Sequence, residues 1–174
     1  MKEKFKEIAN SVNGNFNFHE KVIEIGGGVK DYQEIYSIEF RYDEELVQLR
    51  NYRGNKSYGI IESNISCTVD YNLNFSIETN SQLKRLFSIR KEIFQITTED
   101  NRLRDKIVSN KDFIVLMSLV RNTGFQPYVK GCFNENNYCI STEYHLLFRE
   151  REDVLEPLIR FHKFLVKAIK EHFE

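Results

Sequence analysis

The sequence predicts an α+β fold: a mostly antiparallel sheet of about six to eight strands, helices packed on one face, and a long C-terminal helix. Three observations carry that expectation. Apolar residues recur with a period of two across residues 32–78, and they do so again across residues 125–148. Residues 153–173 instead carry an apolar stripe at helical spacing, too wide for one partner helix and better suited to a sheet face.

The chain opens with Phe5, Ile8, Ala9 and Val12 on one face of a short amphipathic helix. Asn13-Gly14 should end it, with the glycine taking the left-handed conformation. Phe16 and Phe18 then alternate, but Ile23 and Ile25 fall in the opposite phase. That switch predicts a bulge near residues 19–21 or the meeting of two short strands. Gly26-Gly27-Gly28 reads as a flexible hairpin loop. Tyr36, Ile38, Phe40 and Tyr42 form a half-buried strand, and a tight turn at Asp43-Glu44 folds it back. Phe40 then meets Val47, and Ile38 meets Leu49. Residues 51–59 read as a loop. Ile61, Ile65, Cys67 and Val69 share the face of a further strand, and Leu73, Phe75 and Ile77 mark another. Together these make a meander of about five strands.

The second half mixes periods. Leu83, Leu86 and Phe87 suggest a short helix, and Phe94 and Ile96 a strand ending at Thr97-Thr98. A helix should open at Thr98 or Asp100 with Leu103, Ile107 and Val108 inward. After Asn110-Lys111, the run from Phe113 to Val120 is apolar on most sides and should be the most buried helix, stopped at Asn122-Thr123-Gly124. Next comes a hairpin with a four-residue loop at residues 134–137. Its inner face pairs Gly131 with Ile140, Val129 with Thr142 and Phe125 with Leu146. Its outer face pairs Cys132 with Cys139, Lys130 with Ser141, Tyr128 with Glu143 and Gln126 with His145. Pro127 lacks a backbone donor, so it belongs at an edge or a bulge. In the last helix Val154, Leu158, His162, Leu165, Ile169 and Phe173 line the stripe, and Pro157 must sit in or near the first turn.

Bulk properties narrow the function. With 174 residues, 41% of them hydrophobic and 13% aromatic, the chain reads as a single domain spanning residues 1–174 with core material enough to fold unaided. Its 25 basic and 26 acidic residues leave a net charge of -1, which gives no field to steer a nucleic acid or an anionic membrane. The basic stretch of Lys84, Arg85, Arg90, Lys91, Arg102, Arg104 and Lys106 is interleaved with Glu92, Glu99, Asp100 and Asp105, and reads as a solvated mixed-charge face. The N-terminal residues lack the apolar stretch of a signal peptide, and no apolar run nears the ~20 residues that span a bilayer. Three cysteines fit a reducing compartment. The expectation is a cytoplasmic protein.

No motif for chemistry stands out. Gly26-Gly27-Gly28-Val29-Lys30 lacks the spacing of a phosphate-binding loop, and no nucleophile elbow occurs. His145 lies roughly 20 Å along the strand from Cys139, too far for one metal to hold both, so neither a metal nor a cofactor is expected. His162 reads as a core histidine with one nitrogen satisfied. An enzyme would need at least two of His145, His162, Glu143 and Tyr144 to converge, whereas alternation sends Tyr144 inward and Glu143 and His145 outward. The expected function is therefore non-catalytic binding of a protein partner, of a regulatory, inhibitory or immunity-like kind, with self-association compatible. The binding candidates are Tyr128, Lys130, Glu143 and His145 on the outer hairpin face. Tyr52, Tyr58, Tyr71 and Tyr138 are expected at the surface, where tyrosines suit protein contacts. The alternative is a small-molecule or lipid binder with an apolar cavity between sheet and C-terminal helix.

Overall fold

A computed structural model describes residues 1–27, 29–55, 57–67, 73–80, 93–134, 136–146 and 152–173. The side chains of Ile25, Gly26 and Val29 are outside that description, as are the helix expected around Leu83, Leu86 and Phe87, the four basic residues from Lys84 to Lys91, Val69 and Tyr71. The described elements run α1 (Lys2–Ser11), β1 (Asn15–Gly26), β2 (Val29–Tyr42), β3 (Glu45–Arg53), β4 (Tyr58–Ser66), β5 (Phe75–Thr79), β6 (Phe94–Thr98), α2 (Asn101–Ser109), α3 (Lys111–Thr123), β7 (Tyr128–Asn134), β8 (Asn137–His145) and α4 (Leu155–Phe173). The fold is α+β. All eight strands join one antiparallel sheet in the order β1-β2-β3-β4-β8-β7-β5-β6.

The two central strands show how the layers form. β4 and β8 share the same alternation of exposed and buried residues, so Ile61, Ser63 and Ile65 face the same side as Ile140, Thr142 and Tyr144. Over that side lies α4, burying Leu158, Phe161, His162, Leu165 and Ile169. Near β1 and β2, α1 inserts Phe5, whose ring lies 5.6 Å from that of Tyr36. At the far end α2 rests against β6, and α3 joins α2 to α4. The opposite side of the sheet carries no described helix.

Both predicted hairpin registers are present. Phe40 pairs with Val47 and Ile38 with Leu49, while Gly131 pairs with Ile140, Val129 with Thr142 and Cys132 with Cys139. The Asp43-Glu44 turn takes positive φ at both residues, 52° and 71°, the left-handed geometry that matches strand twist in a two-residue hairpin. Lys170 secures it from α4, donating to the Asp43 carbonyl at 2.6 Å.

Several expectations need correction. The five-strand meander stops after four strands, because β8 pairs with the free edge of β4 and the β7–β8 hairpin separates β4 from β5. The loop at residues 51–59 shrinks, as β3 runs to Arg53 and β4 starts at Tyr58. The bulge at residues 19–21 is absent. β1 keeps one register with β2 from Asn15 to Glu24 and shifts only between Glu24 and Gly26. The apolar phase change there has a different cause: β3 pairs with β2 no further than Glu34, so the tip of the β1–β2 ribbon extends past the sheet. On that tip Val22 and Tyr32 are 51% and 71% exposed while Ile23 is only half-buried, so burial holds the apolar phase weakly there.

Asn13, not Gly14, adopts the positive φ (53°) that ends α1. Gly14 is needed for space, since a Cβ there would lie 2.8 Å from the Glu39 carbonyl oxygen. In α2 Val108 points outward while Leu103 and Ile107 are buried. Nor is α3 the most buried helix: Ile114 is 57% exposed and Val115 lies beside it at the surface. Among the described residues α3 meets α2 and α4 along one flank, whereas α4 spans the middle of the sheet. The hairpin strands continue to Asn134 and Asn137. Pro127 stands just ahead of β7, an interior strand, and its carbonyl accepts from Thr79 at 2.6 Å. Since β7 begins at Tyr128, Gln126 does not pair with His145, nor Phe125 with Leu146. Tyr138 is fully buried, being in phase with Ile140, and Tyr52 is half-buried.

Candidate functional site

The helix-free side of the sheet is built from the outward-facing phase of each strand. In its central part that phase supplies Gln48, Arg50 and Tyr52 from β3, Tyr58, Ile60 and Glu62 from β4, Ser141, Glu143 and His145 from β8, and Tyr128 and Lys130 from β7. Arg50 donates to Glu62 at 2.9 Å. Tyr52 and Tyr58 are directly paired across β3 and β4, and their rings stack with centroids 4.6 Å apart and planes 17° from parallel.

At the end of this surface a pocket of about 530 Å³ opens where β8 finishes, β7 begins and the β3–β4 loop passes. Tyr58, Tyr128, Glu143 and His145 line it, together with Gln126 and the buried Tyr144. The strand register explains the gathering. Tyr128 faces Glu143 across β7 and β8, and Tyr58 faces His145 across β4 and β8. Tyr58 and Tyr128 remain exposed despite their ring area. Burial pushes the Tyr58 hydroxyl pKa up, and the neighbouring Tyr52 and the Glu143 carboxylate push it the same way. Among the described residues Tyr128, Glu143 and His145 form no side-chain hydrogen bond or ion pair, which leaves aromatic faces, an acceptor pair and an imidazole available to a bound group.

Of the residues singled out in the sequence, Tyr128, Glu143 and His145 line the pocket. Lys130 stands one outward position further along β7, opposite Ser141, and does not. Tyr58 was expected as a surface tyrosine suited to protein contacts, but its place beside His145 was not visible, and neither were the lining positions of Asn55 and Ser57.

Glu143, Tyr144 and His145 do converge on this pocket, because it wraps around the end of β8 and meets both faces there. Their groups are not arranged for proton transfer, however. The Tyr144 hydroxyl is committed to Asn51 Oδ1 at 2.7 Å, its acidity suppressed by burial, and no hydrogen bond joins Glu143 to His145.

A second pair looks more like catalytic machinery and is not. His162 Nε2 lies 3.0 Å from Ser63 Oγ, the separation of a nucleophile and its base. Both residues are buried in the core, 0% and 2% exposed. Burial lowers the imidazole pKa to about 3, and among the described residues its Nδ1 has no partner to orient it or to support a positive charge. The pair is a core hydrogen bond.

Among the described residues no cluster of histidine, cysteine or acidic side chains has metal-binding geometry. Cys132 and Cys139 face each other across β7 and β8 as free thiols, and burial, then Cys132 and Glu62, raise the Cys139 thiol pKa. Among the described residues no helix is long and apolar enough to cross a membrane. Comparison with known proteins finds no matching family model, curated protein or solved structure.

Proposed function

We propose that the chain is a non-catalytic interaction protein of the cytoplasm. It engages a protein partner through the helix-free side of its sheet, with the pocket at Tyr58, Tyr128, Glu143 and His145 as anchor. One observation supports this reading: two exposed tyrosines, a carboxylate and an imidazole share a cleft, and among the described residues Tyr128, Glu143 and His145 have no side-chain partner there. Tyrosines of this kind supply large, rigid contact area at small entropic cost, and hot spots favour them. A regulatory, inhibitory or immunity-like role is compatible with such a surface, and so is a partner that is a second copy of the chain.

The rival, an apolar cavity under the C-terminal helix, has no comparable support. The residues of α4 that face the sheet are buried, and the described pockets line the surface. The experiment is affinity capture from the native cell with the wild-type chain and with Tyr58→Ala/Tyr128→Ala. A partner enriched by the former and reduced at least about tenfold by the latter is expected, since losing two anchors of ~1 kcal/mol or more each has that effect. Recovery of chaperones alone, or equal capture by both proteins, sinks the proposal.

A further inference from the structure

β6 ends the sheet: it pairs with β5 on one side and with no described strand on the other. Such an edge presents unpaired backbone N–H and C=O groups in a row. Along it runs a groove of about 320 Å³, bounded by Phe94 and Ile96 of β6 and by Arg104, Val108 and Arg121 of α2 and α3. The helix-facing residues Ile61 and Ile140 of the central strands are completely buried, but Phe94 and Ile96 are only half-buried. The apolar side of the sheet therefore continues into the groove uncovered, and Val108, 44% exposed, extends it on the helix wall.

The two arginines indicate what fits. Neighbouring helical charges are matched: Lys106 pairs with Glu171 at 3.0 Å and Arg160 with Asp112 at 2.9 Å. Arg104 and Arg121 form no ion pair or side-chain hydrogen bond among the described residues, although both line the groove. A guanidinium fork beside an apolar trough selects a carboxylate carried on an apolar framework.

We propose that this groove docks an extended acidic peptide segment of a partner protein, which adds to the sheet as a ninth strand along β6. Its backbone would pair with the β6 ladder groups that no described strand takes up, its apolar side chains would cover Phe94, Ile96 and Val108, and its carboxylates would meet Arg104 and Arg121. The site shares no residue with the pocket at Tyr58 and stands whether or not that pocket binds anything.

The test uses the full chain and a fluorescein-labelled eight-residue peptide in which threonine alternates with valine and glutamate. Fluorescence anisotropy should saturate below about 1 mM, within the range of weak docking. Amide resonances of residues 93–98 should shift most. Arg104→Ala/Arg121→Ala should weaken binding at least about tenfold, the loss expected for charge-assisted hydrogen bonds. A peptide with proline at the central threonine should bind less well, since it lacks a ladder donor. A flat titration to 1 mM overturns the proposal, as does equal binding of a peptide with lysine in place of glutamate. Unchanged binding by the double variant overturns it too. Tighter binding of a thymidine dodecamer at the same resonances would reassign the groove to nucleic acid and overturn it as well.

Discussion

Replacing His162 by leucine together with Ser63 by alanine removes a buried titratable group and its hydrogen-bond partner at once, so neither is left alone in the core. The consequence to measure is the pH dependence of stability. In the unfolded chain the imidazole titrates near 6.5, whereas in the folded protein burial lowers its pKa to about 3. Above pH 6.5 both states are neutral and the histidine contributes no pH dependence. As pH falls below 6.5 the unfolded chain takes up a proton that the native state refuses, and stability declines by roughly 1.4 kcal/mol per pH unit. The decline ends near pH 3, where the folded form also protonates. Between pH 7 and pH 5 the loss comes to about 2 kcal/mol. Urea unfolding followed by circular dichroism at pH 7, 6 and 5 gives that quantity for the wild-type chain and the double variant. Carboxylates titrate in both and cancel in the difference, so the wild type should lose about 2 kcal/mol more than the variant over this range. Parallel pH profiles would show that the imidazole is not held neutral and would refute the reasoning.

Two further perturbations probe the backbone. Glu44→Gly relieves a side chain held at φ 71° in the β2–β3 turn. A net gain of about 1 kcal/mol after the entropy of the extra glycine should raise the melting temperature by about 2–4 °C, and a fall would argue against strain there. Gly131→Ala puts a Cβ 2.1 Å from Phe75 Cε1 and 2.5 Å from the Tyr138 hydroxyl, both on buried side chains. A loss of about 3 kcal/mol in urea unfolding is expected, with partial recovery when Phe75→Val is added. A Gly131→Ala chain as stable as the wild type would mean that the ring does not lie over the glycine.

The local hairpins were legible because a short turn leaves few registers, and only one of them matches apolar with apolar. Phe40 opposite Val47 and Gly131 opposite Ile140 both follow from that restriction. The cross-strand neighbours Tyr128 and Glu143 were visible for the same reason. Tyr58 was not, because β4 reaches β8 through a pairing distant in sequence, and a period of two does not say which strand lies alongside. The helices show the same division. Periodicity marks Val108, Ile114 and Val115 as apolar, yet their exposure depends on which flank of α2 and α3 finds a neighbour.

By itself, then, the sequence determined the α+β class, the Asp43-Glu44 turn, the registers of the β2–β3 and β7–β8 hairpins, and the burial of His162 on the last helix. Tertiary structure alone decided that the β7–β8 hairpin would insert between β4 and β5. That insertion brought Tyr58 to His145 and, among the described residues, left β6 as the last strand of the sheet, beside two arginines with no ion pair. The physical reason is the range of the interactions. Alternation and turn geometry act over a few residues, whereas strand order follows from how the whole apolar face of the sheet is covered by α1 and α4 at once.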